Sequence, residues 1–114
     1  MTAANREEAA RLADMLVSAQ LAACVQIMPE VESVYRWQEK IEHSTEVLLI
    51  AKTVRSKFEE IEREVRARHS YQTPEIIAVP VIAGSAPYLE WLMASVVARP
   101  PETEAASRSG DAAA

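Results

Sequence analysis

The sequence predicts a small mixed domain of helices and strands, in the order helix, strand, strand, helix, strand, short helix. Three observations carry this. The hydrophobic period switches repeatedly between helical and strand spacing along the chain. A chain of 114 residues, 49% hydrophobic and 25% charged, fits one globular domain with a real core. Two of the predicted strands are apolar on both faces, more than two main helices can cover.

Arg6 to Gln20 reads as the first helix, with Ala9, Leu12, Ala13, Leu16 and Val17 at helical spacing. Asn5 caps its first turn, with Glu8 three residues on. Leu21 to Met28 is a short apolar run with no polar face, closed by Pro29, and reads as a buried strand. From Val31 to Ile41 the period is two. Val31, Tyr35, Trp37 and Ile41 are expected on one face, with Glu32, Arg36, Gln38, Lys40 and Glu42 on the other. Glu42 to Thr45 is polar and is expected to turn the chain into a second strand, Glu46 to Thr53, making an antiparallel hairpin. Here Val47, Leu49 and Ala51 face one way and Leu48 and Ile50 the other.

Ser56 to Arg68 is the second helix, with Ser56 and Glu59 as a capping box and Phe58, Ile61 and Val65 as its inward stripe. Its interleaved arginines and glutamates read as a solvated face. His69 to Pro74 is a loop. Glu75 to Ala83 is a further strand, apolar on both faces, in which Pro80 demands an edge or a bulge. Ser85 to Val97 is a short third helix with Pro87 in its first turn. The domain is expected to span 1–98. Residues 99–114, with Pro100, Pro101 and no large apolar anchor, are expected to be a disordered tail.

Composition excludes several functions. The net charge of -5 argues against a nucleic-acid footprint. The longest apolar run, Ile76 to Ala83, is far short of the roughly 20 residues that cross a membrane. Met1 to Asn5 is too short and polar for a signal peptide, and the single cysteine permits no internal disulfide, so the expected location is the cytoplasm. There is no glycine-rich phosphate loop and no catalytic constellation, so an enzyme is not expected. A sheet with two apolar faces and helices for one would expose more apolar area than a monomer carries. Assembly with other copies is the expected remedy, unless the third helix folds over it.

Five segments taken together resemble the CutA family of divalent-cation tolerance proteins. They are Leu21-Ala22-Ala23-Cys24-Val25; Ser33-Val34-Tyr35-Arg36-Trp37 with Lys40; Glu46 to Thr53; His69-Ser70-Tyr71-Gln72-Thr73-Pro74-Glu75; and Tyr88-Leu89-Glu90-Trp91-Leu92. The resemblance covers Arg6 to about Val97. It implies an α+β, ferredoxin-like antiparallel sheet with helices on one face, a homotrimer, a response to metal ions and binding of copper or another divalent cation. It also implies an architecture like that of PII signalling proteins, which suggests a small-molecule sensor as the alternative. Family members begin with an apolar strand before the first helix. Here only Met1 to Ala4 precede Asn5, so the first strand is expected to be missing or truncated, leaving a gap in the centre of the sheet. Glu39 stands where the family usually has glycine, and Ser70 replaces the usual proline.

His69 is the metal candidate, since it matches a family histidine proposed for copper and imidazole is the commonest metal ligand. Its companions are absent: Arg68 stands at a second proposed ligand. The competing reading is a structural His69, hydrogen-bonded near a helix end. Cys24 reads as a small hydrophobe and His43 as a solvated turn residue. Trp37, Lys52, Tyr71 and Glu75, with Tyr35, are candidates to line a cleft between subunits, against the plainer reading that the aromatics pack and Lys52 pairs with Glu75 or Glu46.

Overall fold

A computed structural model describes residues 1–97. The tail expected over 99–114 lies outside the described residues. The order is β1 (Thr2–Ala3), α1 (Arg6–Ser18), β2 (Cys24–Trp37), β3 (Lys40–Lys52), a 3-10 turn (Arg55–Lys57), α2 (Phe58–Arg68) and α3 (Ala86–Ser95). The three strands form one antiparallel sheet in the order β1-β3-β2. The fold is α+β and ferredoxin-like in type.

Helix α1 begins as its sequence dictates. The Asn5 side chain accepts from the Glu8 N–H at 2.8 Å. Glu8 reaches back to the Ala4 N–H at 2.9 Å, one residue upstream of the ordinary capping-box partner. The inward stripe is Ala9, Leu12, Ala13 and Leu16, while Val17 stays exposed. Gln20, with φ of 59°, ends the helix in the left-handed conformation, and the Leu21 and Ala22 N–H groups close onto the Leu16 carbonyl. Helix α2 buries Ile61 and Val65, with Phe58 half-buried. The expected Ser56 cap is not made. The chain enters through the 3-10 turn, and Lys57 is already helical where the cap would sit.

The hairpin is longer than the sequence suggests. Leu21–Met28 and Val31–Ile41 were expected as separate strands. They form one strand, β2, joined through a bulge at Pro29-Glu30. Met28 pairs with Leu48 and Val31 with Glu46, so β2 carries one extra residue there, and Glu30 takes a φ of 65°. Pro29, lacking an N–H, is placed where the ladder is interrupted. The reversal is not at Glu42–Thr45, which belongs to β3. It is at Gln38-Glu39, between the paired Trp37 and Lys40. Both turn residues have positive φ, 52° and 70°, as a two-residue turn of this twist requires. Ile41 therefore pairs with Arg36 and falls on the face opposite Trp37.

That turn yields a prediction. Neither Gln38 nor Glu39 is a residue that favours the left-handed region, which costs an L-residue roughly 1–2 kcal/mol. Glu39→Gly is expected to stabilise the hairpin by about 1 kcal/mol. Chemical denaturation should register it as a higher midpoint at unchanged slope.

The first strand is truncated, as expected: it runs only over Thr2–Ala3, paired with Leu48 and Val47, and the Met1 and Leu49 backbones exchange two further hydrogen bonds. Its place in the sheet and the last expected strand are corrected. Among the described strands it lies at the sheet edge, not the centre. The segment Glu75–Ala83 joins no sheet. A nine-residue strand needs a ladder of matching length, and β1 presents two residues. Ile76 still packs on the core, but Ile77, Val79, Val81 and Ile82 are exposed, Ile82 at 93%.

The core lies between the helices and one sheet face. Leu12, Leu16, Leu21, Leu49 and Val65 are fully buried there, with Val47 beside them. The other face carries Met28, Leu48 and Ile50, of which Ile50 is 41% exposed. Beyond Glu46 the hairpin runs past the helices as an arm, and Val34, Tyr35, Trp37 and Ile41 are exposed along it.

Candidate functional site

The polar groups of the protein gather at one place, where the loop after α2 crosses the ends of β1 and α1. His69 follows the last residue of α2, and its side chain is fully buried. Its Nδ1 accepts from the Tyr71 N–H at 3.0 Å, so its proton sits on Nε2, which donates to the Thr2 carbonyl at 2.8 Å. The ring thereby pins the loop to β1. Glu8, 3% exposed, receives the Ala4 N–H, the Ser70 N–H at 2.7 Å and the Ser70 hydroxyl at 3.1 Å. Burial alone would raise its pKa. The hydrogen bonds from Ala4 and Ser70, with the nearby His69, outweigh burial and hold it below the ordinary carboxylate range.

Tyr71 continues the chain of contacts to the hairpin. Its hydroxyl donates to Glu46 Oε2 at 2.7 Å, and Ser33 Oγ donates to Glu46 Oε1 at 2.6 Å. Burial first, then the Glu46 carboxylate, pushes the phenol far above its usual range, so it stays a donor. By the alternation of β3, Glu46 shares a face with Leu48 and Ile50, the face without helices. It is nevertheless only 7% exposed, because Tyr71 and Ser33 cover it.

The four cleft residues do not converge within one protomer. Glu46 marks the position of Tyr71 on the ladder. Trp37 lies six residues up β2 from Val31, the partner of Glu46, which is about 20 Å away. Lys52 lies six residues the other way along β3, again about 20 Å. Its amine donates to Gln26 at 2.6 Å, not to Glu75 or Glu46. Glu75 is exposed on the unpaired segment. Sequence reasoning missed Glu8, Glu46 and Ser33. Glu8 was visible as a capping residue, but nothing local signals that its second oxygen meets a loop 62 residues away.

Among the described residues no group of three or more His, Cys, Asp or Glu is placed to hold a metal ion. Both His69 nitrogens are engaged. Cys24 is half-buried on β2, paired across the ladder with Lys52, a cation that sequence distance concealed. His43, on the arm rather than in a turn, is 3.6 Å from Glu32 and exposed. The described donors of one protomer do not fit a copper centre, which needs convergent soft or imidazole ligands.

Sheet, helices and network together define a ferredoxin-like domain with a buried polar seam at the root of a projecting hairpin. The chain belongs to the family described as CutA1 divalent ion tolerance protein, whose sequence model matches residues 1–95. It is 48% identical over 92 residues to the chloroplastic CutA of Arabidopsis thaliana, covering 81% of this chain and 50% of that one. It is 41% identical over 92 residues to the divalent-cation tolerance protein CutA of Thermus thermophilus, covering 81% and 89%. The chain thus spans about half the length of the plant relative and most of the bacterial one. The solved structure of the Thermus thermophilus protein superposes with a TM-score of 0.82 at 40% identity, covering 84% of this chain and 93% of that one. CutA1 from Oryza sativa gives 0.82 at 45% identity, covering 84% and 88%.

Proposed function

We propose that the protein acts as a homotrimer in the response to divalent cations, in the cytoplasm. The observation that carries this is the open sheet face. Met28, Leu48 and Ile50 lie where neither α1 nor α2 reaches, and the arm continues the apolar surface through Tyr35 and Trp37. Helix α3 is no substitute: its Gln20-held end sits against the end of α1, with the Gln20 amide donating to the Val97 carbonyl at 3.2 Å. Apolar patches of this extent mark interfaces. Three copies follow from the family resemblance. Location draws support only from there being no described helix long and apolar enough to cross a membrane.

Copper or another divalent cation is the ligand the family resemblance implies, but His69, the residue it carries over, already has both ring nitrogens engaged. Its hydrogen bonds give a sharp expectation. Titrating Cu(I), Cu(II) and Zn(II) into wild type and His69→Ala should show that the substitution lowers the melting temperature and leaves metal uptake unchanged. Saturable binding abolished by His69→Ala, with the melting temperature held, would place the cation on the ring instead.

A second reading, a sensor of small molecules like the PII proteins, is favoured by the spread of Trp37, Lys52 and Tyr71 along the ladder. Such residues meet only where copies adjoin. A metabolite thermal-shift screen separates the readings, because a ligand specific to the assembled state raises its melting temperature.

A further inference from the structure

The two buried carboxylates of the described residues are solvated differently. Glu8 sits among backbone N–H donors beside His69. Glu46 receives two hydroxyls and nothing else, and among the described residues no Lys, Arg or His lies within 4.0 Å of it. Of two buried carboxylates, the one held by fewer hydrogen bonds gains more from a counter-charge. Directly across the ladder from Ser33, on the same face, stands Ser44, whose Oγ is buried without any hydrogen-bond partner. A free acceptor beside an uncompensated carboxylate describes a place for a cationic donor group.

We propose that Glu46 is an anionic socket between copies, filled by a basic side chain at the tip of a second copy's hairpin, Arg36 or Lys40. The proposal rests on the assembly reading above. Charge complementarity supports it: among the described residues no carboxylate lies within 4.0 Å of Arg36 or Lys40. Reach supports it too. The arm extends about 20 Å past Glu46, beyond the helices, and so is the element able to cross to a neighbour. Exposed Trp37 and Ile41 flank the two cations and would be buried with them. A guanidinium or ammonium carries enough donors to engage both Glu46 and the Ser44 hydroxyl. Tyr71 and Ser33 then hold the carboxylate in position to receive it.

The test compares wild type, Glu46→Gln and the exposed double substitution Arg36→Gln with Lys40→Gln by light scattering over a dilution series, at low and high salt. Glu46→Gln removes the charge and keeps one oxygen to accept from Tyr71 or Ser33, while its amide nitrogen donates to the other hydroxyl. The arm-tip change leaves the protomer core untouched, so it reports even if Glu46→Gln folds poorly. Both are expected to dissociate at concentrations about tenfold or more above wild type, with weaker salt dependence, and their combination should cost no more than either. Assembly of Glu46→Gln as tight as wild type, or additive losses, would overturn the pair. So would dissociation of wild type by EDTA with recovery on adding Mg(II) or Zn(II), since the counter-charge would then be a metal ion. A wild-type protein that is monomeric throughout would instead overturn the assembly reading itself.

Discussion

Ile50→Asp is expected to leave the protomer folded and to abolish its assembly. Ile50 sits on the open face of β3 at 41% exposure, so in the isolated protomer an aspartate stays hydrated and costs about 1–2 kcal/mol of lost burial. Once that face is covered by another copy, the charge is buried without a partner and opposes association by several kcal/mol. The measurement is light scattering beside far-UV circular dichroism. Loss of the oligomer with a retained spectrum is the expected pair of results. The neighbouring Leu49 provides the contrast, since it lies on the helix-covered face at 1% exposure. Leu49→Asp should unfold the protomer itself. If Ile50→Asp assembles normally, the open face is not the interface.

Glu8→Ala is expected to destabilise the protomer by about 1–3 kcal/mol, because it removes the partner of the half-buried Ala4 and Ser70 N–H groups, at roughly 0.5–1.5 kcal/mol for each bond. The same carboxylate sets an acid limb. Its folded pKa lies below the ordinary value of 4.5, so its stabilisation is fully present above that pH and is lost as pH falls through the folded value. Thermal melts of wild type should therefore fall off below about pH 4.5, and those of Glu8→Ala should fall less steeply over that window. Equal slopes would mean that other carboxylates carry the acid transition. His69→Ala, by removing the bond to Thr2, should release β1 and the loop together.

The sequence by itself determined the helices, their inward stripes apart from Val17, and the Asn5 cap, because these depend on contacts within a turn or two. It also determined that β3 has two apolar faces, since strand alternation is local, and five short segments sufficed for the family. The tertiary structure decided the rest. The hairpin reversal at Gln38-Glu39 carries none of the residues that announce such a turn, and pairing across the whole ladder imposed it. The fate of Glu75–Ala83 depended on a neighbouring strand rather than on its own β-branched sequence. The polar seam joins positions as far apart as Thr2 and His69, Glu8 and Ser70, and Glu46 and Tyr71. Periodicity reports which way a side chain points from its own element. It holds no information on what arrives from another, and a buried polar group is defined by what arrives.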